Sequence, residues 1–78
     1  MKKIKTTENK LREAGWSNKI KEPGYFTKII NGTKAVLSME EYKRADPDEI
    51  CSYNLFWFDV PTPYTLYFIE EELKKLEE

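Results

Sequence analysis

The sequence predicts a single α+β domain over residues 1–78, a small antiparallel three-stranded sheet with an N-terminal and a C-terminal helix, in the order αβββα. Three observations lead there. Asn31-Gly32 stands between two runs rich in β-branched and aromatic residues and favours a two-residue hairpin. Thr7, followed by Leu11, Ala14 and Gly15, has the spacing of a capped, glycine-terminated helix. Thr62-Pro63, followed by Leu66, Ile69, Leu73 and Leu76, has the spacing of a second helix with one apolar stripe.

In the first helix, Gly15 is the left-handed residue past the end, so Trp16 falls where its side chain packs back on Leu11 and reads as structural. Ser17 to Glu22 has Ile20 as its one large apolar residue, flanked by Lys19 and Lys21, and reads as a loop or an edge strand. Pro23-Gly24 marks a turn. The hairpin at Asn31-Gly32 sets Ile30 opposite Thr33, Lys28 opposite Ala35 and Phe26 opposite Leu37. A three-residue loop would instead face Lys28 with Lys34, which like charge disfavours. One face of the hairpin then carries Phe26, Ile30, Ala35, Leu37 and Met39, with Lys28 snorkelling out. The other carries Tyr25, Thr27, Ile29, Lys34 and Val36.

Ser38-Met39-Glu40-Glu41 fits a capping box, so a helical turn over 39–45 competes with continuation of the strand, and the residues leave both open. Asp46-Pro47-Asp48-Glu49 ends whatever precedes it, or opens a helix with Asp46 as N-cap. From Cys51 to Ile69 the aromatic residues crowd together: Tyr53, Phe56, Trp57, Phe58, Tyr64, Tyr67 and Phe68. As a strand, Tyr53, Leu55 and Trp57 line one side and Phe56, Phe58 and Val60 the other, and the residue types favour β over a helix. Pro61 and Pro63 end it. Phe56, Phe58, Leu66 and Ile69 are expected to meet in the core. Glu70 with Lys74 and Glu71 with Lys75 are the expected pairs along the last helix.

A chain of 78 residues hides only about 60% of its unfolded surface on folding, so the core is small. The lone Cys51 forms no internal disulfide and reads as a buried, inert thiol; without histidine or a cysteine pair there is no zinc site. Met1 to Lys5 has the charge of a signal-peptide start, but no apolar run follows it, and no segment reaches the ~20 apolar residues of a membrane span. A cytoplasmic location is expected. The Lys, Glu, Ile, Asn and Tyr usage fits an AT-rich genome, such as that of a low-GC bacterium or its phage.

Catalysis finds no foothold. Cys51 has no imidazole to activate it, Gly15, Gly24 and Gly32 are too far apart to cradle a phosphate, and no pair of carboxylates is singled out. The chain therefore reads as not an enzyme, with no cofactor and no metal. Its charge is split, +6 over residues 1–34 and −7 over 35–78, for −1 overall. Either the halves neutralise each other or one of them meets a charged partner.

Helix, three strands, helix is the order of double-stranded-RNA-binding domains, which use basic side chains on phosphates. Leu11-Arg12-Glu13-Ala14-Gly15-Trp16 also resembles the HicA-type small toxins, whose first helix ends in Gly-Trp and leads into the sheet. The likeness covers the first third of the chain. That family's RNA cleavage depends on a strand histidine which this chain lacks, so no toxin residue carries over.

The expected function is that of a small non-catalytic protein-binding module, a phage or mobile-element protein that inhibits or modulates a host protein by contact. Tyr53, Trp57, Tyr64 and Tyr67 are its expected anchors, with a homodimer as one form of partner and no membrane involved. The alternative is nucleic-acid or nucleotide binding through the basic half, by Lys2, Lys3, Lys5, Lys10, Arg12, Lys19 and Lys21.

Overall fold

Two strands beyond the expected three flank the sheet. The computed structural model describes residues 2–18 and 23–77. Within them β1 (Lys3–Thr6), α1 (Glu8–Glu13), β2 (Ser17–Asn18), β3 (Tyr25–Ile30), β4 (Thr33–Met39), β5 (Cys51–Trp57) and α2 (Pro63–Leu76) follow in that order. The five strands form one antiparallel sheet in the order β1-β5-β4-β3-β2. The α+β class, the antiparallel sheet and the C-terminal helix stand as expected, whereas the αβββα order gives way to βαββββα.

The first addition is β1. Ile4 and Thr6 point inward and pair with Tyr53 and Cys51, while Lys3 and Lys5 point out. One large apolar residue in four is too little for a period-two pattern to stand out in sequence. The second, β2, forms the opposite edge, where Ser17 pairs with Thr27. That settles Ser17 and Asn18 as edge strand; the rest of the expected edge or loop, residues 19–22, lies outside the described residues.

Between these edges α1 closes as its residues dictate. Thr7 Oγ1 accepts from the Lys10 amide at 3.2 Å, and Gly15 takes φ +91°. The Trp16 amide donates to Leu11 O at 2.9 Å and that of Gly15 to Arg12 O at 3.1 Å, the paired bonds of a Schellman ending. The Asn31-Gly32 turn has φ +49° and +83°, as a type I′ hairpin requires, and the β3–β4 register is the one expected.

Strand wins over helix at Met39, because the backbone amides of Met39 and Glu40 are used by Gly24 O and Ser52 O, both at 2.9 Å. Residues 42–46 are irregular, and Asp46-Pro47-Asp48-Glu49 forms a turn closed by Glu49 N–H to Asp46 O at 2.9 Å, not a helix start. The Asn9 amide reaches Pro47 O at 3.0 Å, which ties that turn to α1.

Thr62 caps α2, its Oγ1 accepting from the Thr65 amide at 3.2 Å, with Pro63 in the first turn. The buried stripe is Thr65, Ile69, Leu73 and Leu76, so Thr65 takes the place expected for Leu66. Asn31 Nδ2 donates to Thr65 Oγ1 at 3.1 Å, which anchors the hairpin tip to the start of α2. Lys74 and Lys75 pair three residues back, with Glu71 and Glu72 at 3.3 and 3.8 Å, in place of the expected four-residue pairs. The helix crosses the inner face from β3 to β1, where Thr6 Oγ1 donates to Leu76 O at 2.9 Å.

Both helices cover the same face of the sheet. Leu11 and Trp16 from the α1 side and Ile69, Leu73 and Leu76 from α2 enclose Ile4, Phe26, Ile30, Ala35, Leu37, Tyr53 and Leu55. Lys28 shares this inner face but reaches its rim: Nζ donates to Ala14 O at 2.6 Å and to Glu72 Oε2 at 2.9 Å. Among the described residues no helix is long and apolar enough to cross a membrane.

Candidate recognition surface on the open face

The other face of the sheet is covered by no described element. Because strand side chains alternate, each inward residue that fills the core sends its neighbours outward. The strand registers then fix a lattice. Tyr25, Ser38, Asn54 and Lys3 form one row across β3, β4, β5 and β1. Ser17, Thr27, Val36 and Phe56 form the next, and Ile29 faces Lys34 in a third. Ser52 faces Lys5 at the far corner.

The charges of this lattice are of one sign, although the chain as a whole is close to neutral. Of the 14 Asp and Glu residues, none occupies an outward strand position in the described sheet. Glu40, one residue beyond β4, meets Lys3 Nζ at 2.5 Å and is neutralised there. Among the described residues Lys5 and Lys34 form no ion pair.

Apolar residues lie beside these lysines. Tyr25, Val36, Phe56, Trp57 and Phe58 line a shallow hollow of about 320 Å³. Phe56 is 39% exposed and Phe58 78%, so both present ring surface to solvent. Lys34 Nζ stands 5.8 Å from the centre of the Phe58 ring, within cation–π range. A second hollow, of about 240 Å³, is lined by Glu40, Glu41, Lys43, Ile50, Cys51 and Ser52; there Lys43 bonds to Glu49, which raises its pKa above the ordinary lysine value. No group of three His, Cys, Asp or Glu side chains among the described residues is arranged to hold a metal ion.

The expected anchors do not come together. Tyr53 is 1% exposed, packed edge-on against Phe26 with ring centres 5.9 Å apart, and burial, then Cys51 and Glu8, push its phenol up to about 12. It is a core residue and is not available at the surface, because its side of β5 is the side both helices cover. Trp57 projects from the same side and is half-buried against the core, and at the end of β5 it also borders the open-face hollow. Tyr64 and Tyr67 are exposed on α2, each edge-on to Phe68 at 4.9 and 5.7 Å.

Phe56 and Phe58, expected in the core with Leu66 and Ile69, are on the open face instead, and of those four only Ile69 is fully buried. Tyr53, Leu55 and Trp57 do alternate with Phe56 along β5, but both sides are apolar, so periodicity does not say which one meets the helices. The signal lies in its neighbours: β4 alternates Ala35, Leu37 and Met39 against Lys34, Val36 and Ser38, and pairing Leu37 with Leu55 puts Phe56 on the side of the lysine.

The basic candidates are divided as well. Lys3 and Lys5 point from β1 to the open face, whereas Lys10 and Arg12 belong to α1, on the covered side. Arg12 is held by Glu8 at 3.6 Å and lies 6.0 Å from the Phe26 ring centre. Lys2 is exposed just before β1, and Lys19 and Lys21 lie outside the described residues. Comparison with protein families, with curated proteins and with solved structures finds no match to this chain.

Proposed function

We propose that this protein is a non-catalytic binding module that works by contact, with the open face of the sheet as its recognition surface. The observation that carries the reading is the hollow around Phe56 and Phe58, apolar and solvent-exposed on a face that no described element covers. A soluble chain leaves aromatic side chains in such a position at a cost in solubility, and exposed apolar patches with a polar surround mark interaction sites. The experiment is capture of cellular material by the immobilised chain at low salt, compared between the native chain and a Phe56→Ser, Phe58→Ser double variant. The bound material should be lost from the variant while its circular dichroism is unchanged. Equal capture by both chains would refute the open face as the binding surface.

A second reading rests on α2. Tyr64 and Tyr67 are 67% and 58% exposed and packed against Phe68, with Glu70 and Glu71 one turn on, which resembles an aromatic anchor with an acidic rim. This favours a host protein with a basic surface as partner, in keeping with an inhibitory role for a phage or mobile-element protein. Loss of a captured protein from a Tyr64→Ser, Tyr67→Ser variant, with open-face variants unaffected, would support this reading over the first.

A further inference from the structure

We infer that the open face takes single-stranded nucleic acid, with bases stacked on Phe56 and Phe58 and phosphates held by Lys5 and Lys34. This rests on the reading of the open face as the recognition surface and names the chemistry of its ligand.

Charge is the first ground. In a chain of net charge −1, the outward strand positions carry lysine but no carboxylate; of the acids beyond the strands, Glu40 is already paired with Lys3, and Glu77 borders Lys5 without pairing to it. The ligand complementary to such a face is an anion. A second copy of this chain is the wrong occupant, since a face-to-face pair brings like charges together with no strand carboxylate between them.

Ring geometry is the second ground. Single-stranded nucleic acid is held by aromatic platforms on which bases stack, beside cations that track the backbone. Phe58 and Lys34 supply both side by side: the ammonium stands 5.8 Å from the centre of the ring over one face, and the ring, 78% exposed, offers its remaining surface to a base. A nucleotide meets the pair with its base on the ring and its phosphate on the ammonium, whereas an acidic side chain meets only the ammonium. A duplex hides its base faces and gains nothing from the rings. Between the rings and Lys3 lie Ser38 and Asn54, neutral groups able to donate to and accept from base edges.

The test is fluorescence anisotropy with labelled oligonucleotides of about 10 nucleotides, as single-stranded RNA, single-stranded DNA and a DNA duplex, titrated with the full chain at about 50 and 200 mM salt. Either single strand should bind and the duplex should bind more weakly, with RNA against DNA deciding which of the two is preferred. Phe58→Ser should weaken binding by about 5- to 100-fold, the range expected for one lost stacking contact. Lys34→Gln should lower the slope of log affinity against log salt by about 0.7. Phe58 is exposed enough for its variant to keep the fold, which a thermal melt checks.

The inference is overturned if no single strand binds at the lower salt, if the duplex binds as well, or if neither variant changes the binding. Oligonucleotides that fail to bind, together with an acidic protein captured by the native chain and lost on Phe58→Ser, would sink the nucleic-acid inference and leave the open-face reading standing. If both assays ignore the open-face variants, both readings fall.

Discussion

Among the described strand residues Lys28 is the charged one on the inner face, and its ammonium joins three elements: it leaves β3, completes the carbonyl of Ala14 at the end of α1, and meets Glu72 on α2. Lys28→Met keeps the aliphatic stem but strands the Ala14 carbonyl and leaves the half-buried Glu72 carboxylate with Lys75 alone, at 3.8 Å. The expected loss is about 1–3 kcal/mol, read as a fall in melting temperature, while Glu72→Gln should cost less because an amide oxygen still accepts. At Gly15, φ of +91° is the obstacle to a side chain, since an added Cβ would meet Lys28 Cε and Nζ only at an ordinary 3.7 Å. Gly15→Ala should therefore cost about 1 kcal/mol in chemical denaturation, from backbone strain alone. Tyr53 sets an alkaline limit. Its folded pKa, raised to about 12 from 10, means that the stability it confers is complete below pH 10 and lost as pH rises toward 12, by about 1.4 kcal/mol per unit. Tyr53→Phe should flatten that decline in a pH series of melts.

At the scale of elements, β1 decides whether the N-terminal residues are a tail or part of the sheet. Ile4→Ala should cost about 2–5 kcal/mol, as for any well-packed core side chain; an unchanged denaturation midpoint would reduce β1 to an appendage. Thr62→Ala should cost about 1 kcal/mol, since it removes the cap of α2. These elements were legible in sequence to unequal degrees, for physical reasons. The Schellman ending at Gly15-Trp16, the hairpin register and the Thr62-Pro63 start of α2 are written in local chemistry, and they stand as read. β1 was not legible, because its evidence is Tyr53 and Cys51, its partners on the far side of the chain. The candidate surface was half legible: the two sides of β5 could be listed, but the covered side is chosen by α1 and α2, and no residue of β5 encodes that choice. Hence Tyr53 exchanged places with Phe56 and Phe58.

For the whole molecule, the two faces of the sheet do different work. Stability resides in the inner face, so Phe58→Ser should shift the unfolding free energy by no more than about 0.5 kcal/mol even where it removes binding. A variant that loses both would place Phe58 in the core. The pairing of β1 with β5 also fixes a timetable. Ile4 pairs with Tyr53, and Thr6 is hydrogen-bonded to Leu76 across 70 residues, so β1 has no strand partner until Cys51–Trp57 has been made and no helix contact with α2 until later still. Until then the β2–β3–β4 meander can form but has an unpartnered edge, the one β5 later occupies. A ribosome stalled before Cys51 emerges would hold an incomplete sheet with Leu37 and Phe26 uncovered, and folding should register as a single late event once β5 and α2 have cleared the exit tunnel.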